Sequence, residues 1–245
     1  MPGVIDHARG EPARRPRRVG HKGAHALAHG NTAASFDEAL RLGVDMIEFD
    51  VLPEHEDGSG ELLLAHDFVD ARARTPLTLA EGLAHLAAPR FAGIELDVDL
   101  KLPGYEEAVL AALHDHGLVS RSLISTMEAT SLERVRALEP AVRLGWSVPK
   151  VRRDYLAHPL TRPVAYGVIG VLRRTLPGQA AAAMREGRVD ALMAHWSLVT
   201  PRMATAVRDA GGELFVWTVD DAARIATLEA MGVAGIITND PRLFG

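Results

Sequence analysis

Ile94-Glu-Leu-Asp-Val-Asp-Leu-Lys101 is the stretch on which the fold turns. Side chains of a strand alternate between its two faces, so Glu95, Asp97, Asp99 and Lys101 share one face, and Ile94, Leu96, Val98 and Leu100 share the other. A solvated edge strand would alternate in the same way. Here the apolar half is entirely aliphatic, and the segment lies in the middle of a strand–helix series in which both faces of a strand are covered. Met46-Ile-Glu-Phe-Asp-Val51 repeats the pattern, with Glu48 and Asp50 on one side and Ile47, Phe49 and Val51 on the other.

Working outward, short β-rich runs alternate with amphipathic helical stretches. The expected strands are Arg18–Gly20, Met46–Val51, Gly93–Leu100, Leu123–Ser125, Leu144–Val148, Ala191–Ala194, Leu214–Thr218 and Gly235–Thr238. Thr78-Leu-Ala-Glu81 and Thr130-Ser-Leu-Glu133 match the capping box that opens helices. Gly43 and Gly232 read as helix stops after Ala33–Leu42 and Asp221–Met231. Eight strands alternating with helices point to an α/β fold, a closed (β/α)₈ TIM barrel. A doubly wound open sheet is the rival, but no Gly-rich dinucleotide loop follows the first strand. Glu61–Asp67, after the turn-forming Glu56-Asp-Gly-Ser-Gly60, reads as an extra hairpin strand beside strand two. No large insertion domain is expected. Residues 1–17, with Arg14, Arg15 and Arg17 around Pro16, read as a disordered basic arm, and residues 18–245 as one domain.

Composition narrows the function. The chain has 245 residues, 47% hydrophobic and 24% charged, with 27 Lys and Arg against 32 Asp and Glu. A formal charge of -5 argues against general nucleic-acid binding. Zero cysteines exclude disulfides, thiolate metal sites and cysteine nucleophiles. No run reaches the roughly 20 apolar residues of a membrane span, and the first residues contain no apolar signal core, so the expected compartment is the cytoplasm.

The chemistry-bearing residues then fall at one end of the barrel. Glu48 and Asp50 point inward near the carboxyl end of strand two. Carboxylates are rarely buried without a partner, and a hard divalent cation with oxygen ligands offsets the desolvation cost. An interior salt-bridged pair is the alternative. In the Ile94 strand, Asp99 and Lys101 lie toward the carboxyl end, where barrel active sites sit, whereas Glu95 and Asp97 belong to an interior polar network. His21 follows the first strand in Gly20-His-Lys-Gly23, and His66 ends the hairpin strand in Leu63-Leu-Ala-His-Asp67. Both are expected at that rim, and histidine suits proton transfer near neutrality. Asp67, next in the chain, need not orient His66, because successive strand residues point apart. His195, at the end of strand six, is a weaker candidate. Trp217 shares a face with Phe215, either packing or walling the pocket.

Taken together, Gly20-His-Lys-Gly23, Gly30-Asn-Thr-Ala-Ala-Ser-Phe36, Gly43-Val-Asp-Met-Ile-Glu-Phe-Asp50, His66-Asp67, Val216-Trp-Thr-Val219 and Gly232-Val-Ala-Gly-Ile-Ile-Thr-Asn-Asp-Pro241 resemble the glycerophosphodiester phosphodiesterase family over about Val19 to Pro241. The resemblance implies a catalytic acid–base pair at His21 and His66 and metal ligands at Glu48, Asp50 and Asp99. It also implies substrate contacts at Lys22, Lys101 and Trp217. The implied cofactor is a divalent ion, Mg²⁺ or Ca²⁺, and the implied partner is a small phosphodiester. Three departures stand out: Lys22 where the family usually has Arg, Gly30 where it usually has Glu, and only residues 68–93 where many members carry an insertion domain.

The implied reaction is metal-dependent hydrolysis of a glycerophosphodiester to glycerol 3-phosphate and an alcohol. One alternative is a lysophospholipid- or sphingolipid-acting phosphodiesterase, with Ala165–Leu172, flanked by Arg162, Arg173 and Arg174, as an interfacial patch. A buried barrel helix or its preceding loop is the favoured reading of that stretch, so a membrane-surface contact is not favoured. A non-catalytic metal- or phosphate-binding barrel is the other alternative.

Overall fold

The apolar faces of β2 (Met46–Pro53) and β4 (Glu95–Leu100) pack outward against helices, and their acidic faces meet inside a barrel. Their parallel register sets Glu48 beside Asp97 and Asp50 beside Asp99, which fixes the height of each acid in the interior. The structure, a computed structural model, describes residues 15–150 and 162–245.

Eight parallel strands close the barrel: β1 (Arg17–Gly20), β2, β4, β5 (Ser122–Thr126), β6 (Arg143–Val148), β7 (Ala191–His195), β8 (Glu213–Trp217) and β9 (Gly235–Thr238). Pairing of β1 with both β9 and β2 closes the ring. The hairpin strand β3 (Leu62–Leu64) pairs antiparallel with the end of β2, outside the ring. It is shorter than Glu61–Asp67. Beyond Leu64 the chain leaves the sheet, and Asp67 becomes the N-cap of α2 (Phe68–Ala73), accepting from the Val69 and Asp70 amides. Asp67 is therefore free of strand alternation, and its Oδ2 lies 3.1 Å from His66 Nδ1, so it does hold that ring.

The remaining helices are α1 (Ala33–Arg41), α3 (Leu79–Leu86), α4 (Glu106–Asp115), α5 (Ala129–Leu138), α6 (Arg162–Arg185), α7 (Pro201–Asp209) and α8 (Ala222–Met231). Thr78 forms the expected capping box with Glu81, and Gly232 closes α8 in the left-handed conformation. Thr130 does not cap. Thr126 Oγ1 accepts the Glu128 amide, the turn out of β5 is complete by Glu128, and α5 starts at Ala129. On α6, Val168 is 51% exposed and Val171 58%, so this stretch is helical but not buried on all sides. Among the described residues no helix is long and apolar enough to cross a membrane. Of the expected basic arm, residues 1–14 lie outside the described residues. Arg15 pairs with Asp45 at 2.6 and 2.8 Å, and Arg17 opens β1.

Inside the ring the side chains form layers. At the amino-terminal floor, Arg17 reaches Glu95 (3.1 Å) and Glu213 (2.6 Å), and Arg143 reaches the same two acids (2.7 and 2.5 Å), a closed four-membered ion ring. Glu95 thus belongs to an interior network, as its position on the strand implies. Above it lies an apolar layer of Val19, Met46, Leu123, Ala191, Met193, Phe215 and Ile237. Fully burying each large aliphatic or aromatic side chain contributes about 1.5–3 kcal/mol. The polar site occupies the top layer, at the carboxyl ends of the strands.

Candidate active site

The loop after β1 is built to bring backbone as well as side chains to the acids of β2. Lys22 takes a left-handed conformation (φ 51°), uncommon outside glycine, and its amide donates to Glu48 Oε2 at 2.7 Å. Gly23 follows at φ 82° and donates to the Glu48 carbonyl at 3.2 Å; a Cβ there would lie 2.6 Å from the Ser35 backbone, so the position requires glycine. Gly30 is equally constrained. A Cβ would meet Lys22 Cβ at 2.7 Å and His25 Nδ1 at 2.8 Å, which leaves no room for the glutamate usual in the resembled family.

Asn31, fully buried and left-handed (φ 60°), clamps Asp50 reciprocally. Its Nδ2 donates to Asp50 Oδ2 at 2.8 Å, and the Asp50 amide donates to its Oδ1 at 3.0 Å. Replacing Asn31 by leucine strands two buried polar groups of Asp50 and is expected to cost about 2–4 kcal/mol. The check is a lower denaturant midpoint at unchanged m-value.

One cleft of about 160 Å³ is lined by His21, Glu48, His66, Asp99, Lys101 and Trp217, together with Asp97, Ser125 and Ser147. Among the described residues, Glu48, Asp50 and Asp99 are the one group able to hold a metal ion, each offering an oxygen within 4.8 Å of the others. Lys101 Nζ lies 2.5 Å from Asp50 Oδ1 and 2.5 Å from Asp99 Oδ2. Asp50 Oδ1 has that ion pair but no well-formed hydrogen bond. Lys22 sits beside the cleft rather than in its lining.

The two histidines are held through the same nitrogen by different partners. His21 Nδ1 lies 2.6 Å from Asn239 Oδ1. The Asn239 side-chain and backbone N–H groups both donate to Asp220, at 2.7 and 2.8 Å, so the amide presents its oxygen to the ring and His21 Nδ1 carries the proton. Nε2 then faces the acids, 3.8 Å from Glu48 Oε2. His66 is half exposed, with Nδ1 against Asp67 and its amide donating to Asp70 Oδ2 at 3.2 Å. Neither Asn31, Asn239 nor Asp220 was singled out by residue chemistry. The usable signal is position, since each lies in a loop leading into or out of a barrel strand at the same end. His195 lies at the rim too, its ring 5.1 Å from that of Trp217, whose indole N–H donates to the Met193 carbonyl at 2.8 Å.

The charges are crowded. Burial, reinforced by the Lys22 charge, lowers His21 to about 4. Burial also lifts Glu48 well above the usual carboxylate range, with Asp50 adding repulsion. Asp97 rises to about 7 for the same first reason, although Ser125 pulls the other way. Asp99 is raised by burial against the pull of Lys101. At Asp50 burial is outweighed by the cations, Lys101 foremost, and its carboxyl is held below the usual range. Lys101 is lifted well above the ordinary lysine value, since Asp50, Asp99 and Glu48 outweigh its desolvation. A single ammonium thus faces more acid than it neutralises. An oxygen-only donor set whose three carboxylates share one ammonium fits a hard cation.

Fold and cleft define the class, a (β/α)₈ barrel with an acid- and histidine-lined site at the carboxyl ends of the strands. The model of the glycerophosphoryl diester phosphodiesterase family matches residues 21–68 and 94–243, and the chain belongs to that family. It is accordingly an enzyme, a phosphoric diester hydrolase. The segment between the matched spans carries α2 and α3 in place of a larger insertion. A glycerophosphodiester phosphodiesterase of Caldanaerobacter subterraneus subsp. tengcongensis is 24% identical over 266 residues, covering 91% of this chain and 93% of the relative. A glycerophosphodiester phosphodiesterase from Parabacteroides distasonis superposes with a TM-score of 0.69 at 18% identity, covering 93% of this chain and 94% of its own. An Oleispira antarctica phosphodiesterase, solved with the product sn-glycerol-3-phosphate, gives 0.65 at 19% identity, with 93% and 94% covered.

Proposed function

We propose that the chain hydrolyses glycerophosphodiesters to glycerol 3-phosphate and an alcohol, with a divalent cation on Glu48, Asp50 and Asp99 and with His21 and His66 as the acid–base pair. The observation that carries this reading is the convergence of both histidines, Glu48, Asp99 and Lys101 on one small cleft, with Asp50 bonded to Lys101 behind it. The product bound in the Oleispira relative supports the choice of substrate. When bound, a divalent cation offsets the charge that builds on the phosphate oxygens in the transition state, and Mg²⁺ and Ca²⁺ both suit three carboxylates.

The rest falls to the chain's own groups. Lys101 and Lys22 add positive charge toward the phosphate, which a transition state more anionic than the substrate repays. Both histidines use Nε2, because Asn239 and Asp67 hold the other ring nitrogens. One takes the proton of the nucleophile, whether water or a neighbouring substrate hydroxyl, and the other returns a proton to the leaving alkoxide. Trp217 walls the pocket.

Glycerol 3-phosphate release from glycerophosphocholine and glycerophosphoethanolamine tests this reading. Release is expected with Mg²⁺ or Ca²⁺ and is expected to fall at least about 100-fold with chelator. Full turnover in chelator would remove the cation from the mechanism. Exposed Val168 and Val171 on α6 favour lysophospholipid as the second substrate to try, with detergent or liposome stimulation as its signature.

A further inference from the structure

The deepest part of the cleft is not used by the chemistry above. Asp97 is 1% exposed, yet it lines the cleft, and its Oδ1 has no hydrogen-bond partner. It stands two residues below Asp99 on β4, about 7 Å deeper at the usual rise of a strand. Ser147, on β6, is 6% exposed and also lines the cleft, and its hydroxyl makes no hydrogen bond among the described residues. The Ser125 hydroxyl stands between the two acids of β4, a partner of the Asp97 carboxyl and 3.5 Å from Asp99 Oδ1, and leaves Asp97 Oδ1 unpaired. Directly beneath lies the apolar layer, with Met193 and Ile237 closing the floor.

An orphaned buried acceptor costs about 1–3 kcal/mol, so such a group in a native fold calls for a partner that arrives with a ligand. We infer that Asp97, Ser147 and Ser125 form a specificity subsite at the base of the cleft that takes the hydroxyl groups of a small polyol, the glycerol arm of the substrate. The inference rests on the diester reading above and deepens it. The match is one of donors and acceptors. A substrate hydroxyl donates to Asp97 Oδ1, and the serine hydroxyls can donate to or accept from its neighbour. An ammonium arm fits less well. Lys101 already occupies the layer above, held between Asp50 and Asp99, and a second cation beneath it would be repelled. The glycerol arm therefore points inward, and the variable alcohol is left toward the mouth, beside Trp217 and the exposed His66.

Calorimetric titration of the full chain in Mg²⁺ buffer tests the subsite without turnover. The probes are sn-glycerol 3-phosphate, propyl phosphate (the same length without the two hydroxyls) and ethanolamine phosphate. Glycerol 3-phosphate is expected to bind roughly tenfold or more tightly than propyl phosphate, because a site built for hydroxyls is left unpaired by the analogue. Ser147→Ala and Asp97→Ala are each expected to shrink that ratio to about threefold or less through lost affinity for glycerol 3-phosphate, and Asp97→Asn, which keeps an acceptor, to retain most of it. A ratio near one in the unmodified protein, tighter binding of ethanolamine phosphate, or equal weakening of both ligands in the variants would overturn the subsite. Discrimination without any diester turnover would instead defeat the reaction assignment and leave the subsite standing.

Discussion

Replacing His21 by alanine is expected to lower kcat for glycerophosphodiester hydrolysis by roughly 10²–10⁴-fold, the usual span for removing a positioned acid or base. The ring's Nδ1 is fixed by an amide that Asp220 in turn orients, and its Nε2 faces the acids. His66→Ala is expected to fall by the same order. The two variants separate in stability. Removing the part-buried His21 leaves Asn239 Oδ1 without its partner and costs about 1–2 kcal/mol, whereas the half-exposed His66 costs little. Near-normal kcat in either variant, with folding verified by circular dichroism, would remove that histidine from the reaction.

The second large effect is on stability. Glu95→Leu leaves Arg17 and Arg143 facing each other with Glu213 as their one remaining partner in the ring. Breaking a buried ion pair by removing one partner costs about 3–5 kcal/mol, and because Glu95 keeps 31% of its side-chain exposure the expected loss is nearer 2–3 kcal/mol. The sign with pH follows from the direction of its shift. Burial pushes Glu95 up, but Arg143 and Arg17 hold its carboxyl below the ordinary 4.5. Its stabilisation is therefore fully present above about 4.5 and is lost as pH falls through the lowered value. Thermal midpoints of the two proteins should stay separated by a constant gap at neutral pH and converge under acid. A gap that is absent at pH 7, or one that widens on acidification, would show that the ring does not stabilise the barrel.

Much of this molecule is legible without coordinates, and the reason is periodicity. Alternation in Met46–Val51 and Ile94–Lys101 assigns each residue a face, and the all-aliphatic half of the second says that both faces are covered. The histidines, Glu48, Asp50, Asp99 and Lys101 follow, because barrel chemistry gathers at the strand carboxyl ends, and all of them do meet in or against one cleft. Elsewhere chain geometry overrides a local signal. Thr130 has the letters of a cap, but the turn out of β5 is complete at Glu128. Alternation would point Asp67 away from His66, but the strand ends three residues earlier, at Leu64, and the turn into α2 brings the two together.

What the sequence by itself determined is therefore the architecture and the inventory of the site, since both depend on which residue types recur at strand and helix spacing. What only the tertiary structure decided is partnership. Asn31 with Asp50, Asn239 with His21, the closed ring of Arg17, Glu95, Arg143 and Glu213, and the unpaired oxygen of Asp97 all join or isolate residues far apart in the chain. Hydrogen bonds and ion pairs act over about 3–4 Å and carry no period along the sequence, so they become readable only once the barrel has closed.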